Sequence, residues 1–289
     1  MTEQEAALQL QASEHYRVLK RVPPVEAWNL EPAADGVETV RACIVDCETT
    51  GIGGGDKVIE LAILPFDYER ATARICAVRA PLSGFVDPIM PIPAEATAIH
   101  GITQAMVTGK SIADEKVAEA VSGAKLLLAH QARFDRGKTA KVWPVLDGIA
   151  WGCTWDDIDW RSGGYESGKL AYLLFRMGWF FDGHRALDDC YATLFAVMQP
   201  LNGNPALFAL LQCLREPLFK VTMRGTPIEM KELLKDRDYH WHPASRTWWT
   251  STANPDAERE WCLTTFPNNE PIIRRLPAVA RHSDNLEAA

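Results

Sequence analysis

The sequence predicts an α/β protein with a mixed sheet flanked by helices, followed by a small α+β C-terminal domain. Three observations lead to this prediction. Three apolar strand patterns come first and are followed by alternating helix and strand patterns, which is the order of a layered α/β domain. The break LNGNP at 201–205 precedes an aromatic-rich segment with helix and strand patterns of its own. The length of 289 residues accommodates about two domains.

The first forty residues predict a helix and a linker. Amphipathic spacing extends from about residue 3 to residue 21, and Pro23, Pro24 and Pro32 follow it. We therefore assign 1–40 to an N-terminal helix and an irregular connection.

Residues 41–200 carry the patterns of the main domain. The segments VRACIVDCETTG, VIELAILPFD and ARICAVRAPL predict three strands in an antiparallel meander, and KLLLAH and GIAWGCTW predict two further short strands. Helix patterns occur at 93–99, 114–122, 133–145, 169–177 and 185–198.

Residues 201–268 predict a small accessory domain, and 269–289 a loosely ordered, Pro-containing polar tail. A short helix is expected at 206–214, a second helix opens at Thr226-Pro227, and strands at 239–241 and 247–250 flank a turn. Residues 218–250 contain 6 basic and 4 acidic side chains among several aromatic rings. Two interpretations stay open, namely binding of a single strand by stacking, or a small core built from large aromatic residues.

Composition excludes several classes of protein. With 47% apolar and 24% charged residues the chain is neither disordered nor collagen-like. It has no apolar run long enough for a membrane span and opens without a secretion signal, so we expect a cytoplasmic protein without a membrane partner. The seven cysteines are scattered without a CxxC pair and predict reduced core residues. The net charge of −8 argues against binding nucleic acid by bulk positive charge.

Acidic side chains follow the predicted strands at several points. Asp46 and Glu48 end the first buried strand and, two residues apart, point to the same face. Asp135 follows the strand KLLLAH, and Asp189 lies on a late helix. Adjacent carboxylates need a cation between them, and oxygen ligands of this kind suit Mg²⁺ or Mn²⁺.

A histidine stands close to the last of these acids. His184 precedes Asp189 by five residues, at the predicted start of a helix. An imidazole with an ordinary pKa of about 6.5 can act as a general base toward water at neutral pH. Two divalent ions and this base predict hydrolysis of a phosphodiester by a two-metal mechanism.

Four motifs, DCETTG, AIHGIT, HQARFD and HRALDD, occur in this order between residues 41 and 198. In order and spacing they resemble the motifs of DnaQ-like 3′-5′ exonucleases of the DEDDh type. The resemblance implies a ribonuclease-H-like fold, with His184 as general base. It also implies that the metal-binding and catalytic acids are Asp46, Glu48, Asp135 and Asp189.

The same resemblance implies contacts to the terminal nucleotide. Thr49, Thr50 and Gly51 in the first motif and His100 in the second would lie beside it. Gln131 stands where most of the family has Asn, and its longer amide would reach a phosphate or a neighbouring loop.

Asp188 adjoins Asp189 and is the other candidate for the last ligand position. One step along a helix rotates the side chain by about 100°, so both cannot face the same metal, and the motif favours Asp189.

These expectations combine into one functional prediction. The chain would be a metal-dependent 3′-5′ exonuclease that uses two Mg²⁺ or Mn²⁺ ions at single-stranded 3′ ends, with DNA favoured, and releases 5′-nucleotides. The alternatives are an RNA-directed exonuclease or oligoribonuclease, and a non-catalytic nucleic-acid-binding protein. Single-stranded 3′ ends are the expected ligand, and replication or repair proteins are candidate partners.

Overall fold

The computed structural model describes residues 1–283, and residues 284–289 lie outside the described part of the chain. The described residues form two compact units. The first contains residues 1–213 together with a short piece from His282, and the second contains residues 214–281. The sequence predicts the domain boundary at residue 200, whereas the first unit ends thirteen residues later, at Cys213. The reason is that most of the helix at 206–215 belongs to the first unit.

In the first unit a run of strands comes first, and helices and further strands follow it. Its helices are α1 (Glu3–Gln11), α2 (Ala94–His100), α3 (Gln104–Val107), α4 (Asp114–Ala120), α5 (Ala132–Val142), α6 (Leu170–Met177), α7 (Ala186–Met198) and α8 (Ala206–Arg215). Its strands are β1 (Lys20–Arg21), β2 (Thr39–Thr49), β3 (Val58–Glu69), β4 (Ile75–Val78), β5 (Leu82–Phe85), β6 (Leu126–Ala129), β7 (Ala150–Cys153), β8 (Trp179–Phe180), β9 (Pro200–Leu201) and β10 (Asn204–Pro205).

The main sheet of this unit is mixed. Its order is β4-β3-β2-β6-β7, and β5 also pairs with β3. The pairs among β2, β3, β4 and β5 are antiparallel, whereas β2–β6 and β6–β7 are parallel. The predicted ribonuclease-H-like mixed sheet with flanking helices is therefore confirmed.

Alternation along β2 divides its side chains between two helical layers. Cys43, Val45 and Cys47 point into a core that also contains residues of α4 and α5. The intervening residues face α7, where the Cys190 thiol lies 3.8 Å from the Ile44 carbonyl oxygen. Asp46 and Glu48 share the α7 side of the sheet.

The N-terminal helix is shorter than its pattern predicts. α1 ends at Gln11 instead of near residue 21, and Lys20–Arg21 pairs in parallel with Trp179–Phe180. Backbone bonds to a distant strand replace helical bonds there, and a local pattern does not contain that information.

The second unit confirms the predicted small α+β C-terminal domain. Its elements are β11 (Leu218–Arg224), α9 (Lys231–Asp236), β12 (His240–His242), β13 (Thr247–Thr252), α10 (Pro255–Thr265) and β14 (Ile272–Leu276). The sheet order is β12-β13-β11-β14, with every pair antiparallel.

The prediction of a loosely ordered tail from residue 269 is wrong for residues 272–276. These residues form β14, in which Ile273 pairs with Val221 of β11. A strand at the edge of a sheet is stabilised by its partner, so its short IIRRL pattern did not distinguish it from a polar tail. The end of the predicted tail, 284–289, lies outside the described residues.

Within residues 1–283, the helices are all too short or too polar to cross a bilayer.

Candidate active site

The end of β2 carries the first two acids of the site. Asp46 lies opposite Ala62 of β3 and Glu48 lies opposite Glu60, and the register shifts directly after Glu48. The two carboxylates therefore lie side by side where the regular pairing ends, on the face covered by α7.

Two helix starts bring in the other acids. β6 runs parallel to β2, so α5, which follows β6, begins at the same edge of the sheet. Asp135 lies in the first turn of α5, and its Oδ1 accepts the backbone N–H of Cys47 at 3.2 Å. Asp189 lies in the first turn of α7. The positive end of a helix dipole stabilises an anion at each of these positions.

Three of these carboxylates converge closely enough to share an ion. One oxygen from each of Asp46, Glu48 and Asp189 lies within 4.8 Å of the other two. Asp135 borders this group through its bond to Cys47, the residue between Asp46 and Glu48. An all-carboxylate donor set fits a hard divalent cation such as Mg²⁺ or Mn²⁺, so the residues present suit the expected metal.

The pKa values of the acids in the cluster also favour a bound cation. Burial raises the pKa of Glu48 to about 8, that of Asp135 to about 7 and that of Asp189 to about 6. Burial also raises the pKa of Asp46 well above its ordinary value, and the charges of Asp135 and Asp189 raise it further. The carboxylates destabilise one another as anions, and either protons or cations relieve that repulsion.

The protein without metal is expected to lose stability as the pH rises from about 5 to about 8. The folded pKa values of Glu48, Asp135 and Asp189 exceed those of the unfolded chain, so the folded state holds more protons across this window. Each proton that the folded state holds and the unfolded chain does not is worth about 1.4 kcal/mol per pH unit, so deprotonation of the three groups lowers the free energy of unfolding by several kcal/mol across this window. Thermal unfolding in EDTA at several pH values measures the slope.

Glu48→Gln serves as the test variant for this slope, and Asp188→Asn serves as the control because Asp188 is exposed. Glu48→Gln should flatten the slope and Asp188→Asn should keep it. Mn²⁺ should stabilise the wild type more at pH 8 than at pH 5. Equal slopes in all three proteins would contradict this account.

His184 is exposed and lies directly before α7 in a strained conformation. Its φ of 68° is in the left-handed region, which few residues other than Gly adopt. The backbone N–H groups of His184 and Arg185 donate to Asp189 Oδ2 at 2.8 Å and 3.1 Å. Asp189 thus fixes the backbone at His184, whose imidazole is exposed to solvent. A strained backbone conformation of this kind is typical of functional sites.

An ion pair between the buried Glu60 and the half-exposed Arg185 lies beside the cluster and was missed by the sequence analysis. Glu60 is 2% exposed, and its carboxylate accepts from Arg185 Nε and Nη2 at 2.8–3.3 Å and from the Ala186 backbone N–H at 3.1 Å. Glu60 lies opposite Glu48, and like charges in that position repel. Arg185 offsets this repulsion and ties β3 to the start of α7. The available signal was a single acid within the apolar strand VIELAILPF.

Arg185→Met is expected to lower the free energy of unfolding by about 3 kcal/mol, because it leaves the Glu60 carboxylate buried, unpaired and opposite Glu48. Adding Glu60→Gln to this variant should recover at least half of the loss. Urea unfolding of the wild type, both single variants and the double variant measures the coupling. Strictly additive losses would show that the two side chains act independently.

The residues predicted to contact the substrate lie in the turn that ends β2, at the start of α5 and at the end of α2. The turn after β2 is internally bonded, with Thr49 Oγ1 donating to the Gly51 carbonyl oxygen at 2.7 Å and Thr50 Oγ1 to Asp56 Oδ1 at 2.9 Å. A Cβ on Gly51 would lie 2.8 Å from Asp56 Oδ2, so a larger residue at this position would displace the Asp56 carboxylate. Gln131 is exposed at the start of α5.

His100 ends α2 and is only 6% exposed. Its Nδ1 accepts the Ile102 N–H at 3.0 Å, which puts the ring hydrogen on Nε2. Burial lowers the pKa of this imidazole below its ordinary value and favours its neutral form. Nε2 is buried and makes no hydrogen bond of full geometry among the described residues, although the Thr49 backbone lies close enough to raise the pKa of the ring. The charges of Glu60, His184 and Arg185 also act on this ring. A buried donor of this kind, beside the site, is suited to a ligand oxygen.

The mixed sheet carries converging carboxylates where its strands end, an arrangement suited to metal-dependent hydrolysis of phosphodiesters. Residues 43–196 match the RNase_T family model, described as an exonuclease, and the chain belongs to this family of DnaQ-like exonucleases. It is therefore a nuclease of the hydrolase class, as predicted.

Two curated relatives and one solved structure are similar to part of this chain. Exodeoxyribonuclease 10 of Escherichia coli K12 is 30% identical over 168 residues, which cover 56% of this chain and 69% of that protein. A DNA polymerase III subunit epsilon-like protein of Rhodobacter capsulatus is 33% identical over 183 residues, covering 57% of this chain and 24% of that protein. A structure of exonuclease X in complex with 5′ overhanging duplex DNA is 27% identical, with a TM-score of 0.40, and covers 57% of this chain and 97% of that one.

Proposed function

We propose that this chain is a divalent-metal-dependent 3′-5′ exonuclease that hydrolyses phosphodiester bonds at single-stranded 3′ ends, favours DNA and releases 5′-nucleotides. The observation that carries the proposal is the convergence of Asp46, Glu48 and Asp189 within 4.8 Å, beside an exposed histidine whose backbone bonds to Asp189. The name of the E. coli relative, an exodeoxyribonuclease, supports DNA as the preferred substrate.

Asp46, Glu48, Asp135 and Asp189 would hold two Mg²⁺ or Mn²⁺ ions. When bound, these ions supply charge neutralisation and Lewis-acid stabilisation of the reacting phosphate. The raised pKa values of the four carboxyl groups support this role, because such a cluster binds positive charge to relieve its own repulsion.

His184 acts as the general base in this proposal. Its imidazole takes a proton from the attacking water as the new P–O bond forms and the bond to the 3′ oxygen breaks. The Asp189 carboxylate orients it by accepting the backbone N–H of His184 at 2.8 Å. Exposure of the ring allows the proton to pass on to solvent.

The terminal nucleotide would lie against the turn Thr49–Thr50–Gly51, Gln131 and His100. The Nε2–H of His100 is the best placed of these groups for an oxygen of the terminal sugar or phosphate, because it is a buried donor next to the acids. The Thr50 hydroxyl already bonds to Asp56, which favours the backbone of the turn as the contacting part. Replication or repair proteins remain candidate partners.

A strand-end protection assay tests polarity and substrate together. Single-stranded DNA is given phosphorothioate linkages at either its 3′ or its 5′ end, and digestion is followed with Mg²⁺, with Mn²⁺ and with EDTA. The 3′-protected strand should resist and the 5′-protected strand should be degraded to 5′-nucleotides. Preferential loss of the 3′-protected strand would show that digestion runs from the 5′ end and would contradict the proposed polarity.

RNA and duplex DNA of the same sequence complete the assay. Faster degradation of RNA would favour the RNA-directed alternative. Binding without degradation under all metal conditions would favour a non-catalytic nucleic-acid-binding protein.

A further inference from the structure

A row of three side chains crosses the main sheet beside the acidic cluster. Glu48 of β2 lies opposite Glu60 of β3, and Glu60 lies opposite Phe85 of β5. Directly opposite residues of antiparallel strands share one face of the sheet, so the three side chains form a row on that face. Neighbouring strands are about 4.8 Å apart, which places Glu60 one strand away from a proposed metal ligand.

The Arg185 guanidinium binds to this row along one of its edges. Its Nε and Nη2 donate to the Glu60 carboxylate at 2.8–3.3 Å, and its Cζ lies 5.4 Å from the centroid of the Phe85 ring. The ring is itself held by packing against the buried cluster around Ile59. Two bonds to one carboxylate and a contact with a fixed ring set the orientation of the planar guanidinium.

The other edge of the guanidinium is open to solvent. Nη1 of Arg185 makes no hydrogen bond to residues 1–283 and is not buried, and 43% of the side chain is exposed. Arginine presents its N–H groups in a rigid fork that matches the oxygen atoms of a phosphate. The N–H groups of Nη1 are therefore held in fixed positions and are free to bind a ligand oxygen.

The groups around Arg185 belong to the proposed catalytic site. Arg185 directly follows His184 in the chain. Burial raises the pKa of Glu48 to about 8, and the positive charge of Arg185 lowers it. Burial lowers the pKa of His100, and the charge of Arg185 lowers it further. The guanidinium is thus close to a proposed metal ligand and to the buried imidazole that would contact the terminal nucleotide.

We propose that Arg185 binds the phosphate group under attack through Nη1 and stabilises the negative charge that develops on its oxygen atoms in the transition state. This inference rests on the proposed exonuclease function and adds a residue that contacts the substrate. Glu60 orients the guanidinium before the substrate arrives, so the donor is preorganised. The ion pair has no net charge, so the contact depends on the direction of the N–H groups.

Arg185→Lys separates the ion pair from the phosphate contact. Lysine keeps the positive charge and can bind Glu60 through its ammonium group, but it has no second edge to offer to a phosphate. The substrate is the p-nitrophenyl ester of thymidine 5′-monophosphate, whose hydrolysis gives the monophosphate and p-nitrophenolate. It contains a single phosphate group, so an effect cannot arise at a neighbouring one. With Mn²⁺, the variant should lower kcat about 10- to 100-fold and change KM by less than about 3-fold.

Arg41→Lys is the matched control. Arg41 Nε and Nη2 bind the Asp67 carboxylate in the same two-bonded way, and 38% of the Arg41 side chain is exposed. Arg41 lies near the other end of β2, about 23 Å from Glu48 along the strand. This variant should keep kcat within about 2-fold of the wild type, and thermal unfolding checks that both variants fold. Equal losses of kcat in the two variants, or no loss in Arg185→Lys, would overturn the proposal.

A double variant distinguishes a phosphate contact from simple neutralisation of Glu60. Glu60→Gln/Arg185→Met contains neither charge, so it has no buried carboxylate that needs a partner. Its kcat should stay about 100-fold below that of Glu60→Gln alone, because the donor to the phosphate is missing. Equal kcat values in the double variant and in Glu60→Gln would show that Arg185 acts only by neutralising Glu60, and would overturn the proposal.

Binding of the product gives a measurement without turnover. Thymidine 5′-monophosphate carries the extra negative charge that develops on the phosphate, whereas thymidine has no phosphate. Isothermal titration in Mn²⁺ should show a Kd for the monophosphate that is about 10-fold higher in Arg185→Lys than in the wild type, and an unchanged Kd for thymidine.

These measurements separate the two proposals. Hydrolysis by the wild type together with the same monophosphate Kd in both proteins would reject the Arg185 contact and leave the exonuclease proposal intact. The expected change in Kd without any hydrolysis by the wild type would reject the exonuclease activity and support the phosphate contact.

Discussion

Asp46→Asn is expected to lower kcat by at least about 10³-fold, equivalent to about 4 kcal/mol in the barrier. The amide keeps the size of the side chain but removes one negative charge from the oxygen cluster formed with Glu48 and Asp189. Weaker metal binding should accompany the loss, visible as a smaller rise in melting temperature with Mn²⁺. Steady-state digestion of a labelled single strand and thermal unfolding measure the two effects.

The same substitution should stabilise the protein without metal. Burial and the charges of Asp135 and Asp189 already raise the pKa of Asp46, so a neutral amide relieves repulsion and should raise the free energy of unfolding at pH 8 by about 1 kcal/mol. Asp188→Asn is the matched control, since this exposed neighbour of Asp189 loses the same charge outside the cluster. Wild-type activity in Asp46→Asn, or an equal loss in Asp188→Asn, would refute the assignment of the metal ligands.

His184→Asn should lower kcat by about 10²- to 10³-fold, the usual contribution of a general base. Asparagine tolerates the left-handed backbone conformation at this position, where φ is 68°, so the substitution removes the imidazole and leaves the backbone in place. The rise in melting temperature with Mn²⁺ should stay at the wild-type value, because the imidazole is not among the proposed ligands.

Two further variants separate chemistry from backbone strain. His184→Ala removes the base as well but adds about 1 kcal/mol of backbone cost, so it should be less stable than His184→Asn with a similar kcat. His15→Asn, at an exposed position near the N-terminus, should leave activity unchanged. A loss of activity in His184→Asn that follows loss of Mn²⁺-induced stabilisation would place His184 among the metal ligands instead.

The strands that build the site were predictable because their patterns are local. β2 and β3 are long, apolar and bounded by polar turns, and both occur where the sequence places them. Elements that depend on a distant partner were not predictable in this way. β14 is a strand because Ile272–Leu276 pairs with β11, and Lys20–Arg21 leaves the helical pattern because it pairs with β8.

The residues around the acidic cluster also depend on distant partners. Glu60 is a single acid within an apolar strand, and the sequence pattern gave it no partner. The folded chain shows its bonds to Arg185 and to the start of α7. The exposure of Asp188 and the inward position of Asp189 likewise depend on how α7 docks on the sheet.

The mixed α/β class, the membership in an exonuclease family, and the order of acids and histidine along the chain could be predicted from the amino-acid sequence, because motifs and periodicity are properties of residues close in sequence. The folded chain was needed to show which carboxylate oxygen atoms lie within 4.8 Å of one another and how the backbone of His184 is held by Asp189. Those properties depend on the register between strands and on helix docking across more than one hundred residues of chain, where electrostatic interactions act through space and not along the sequence.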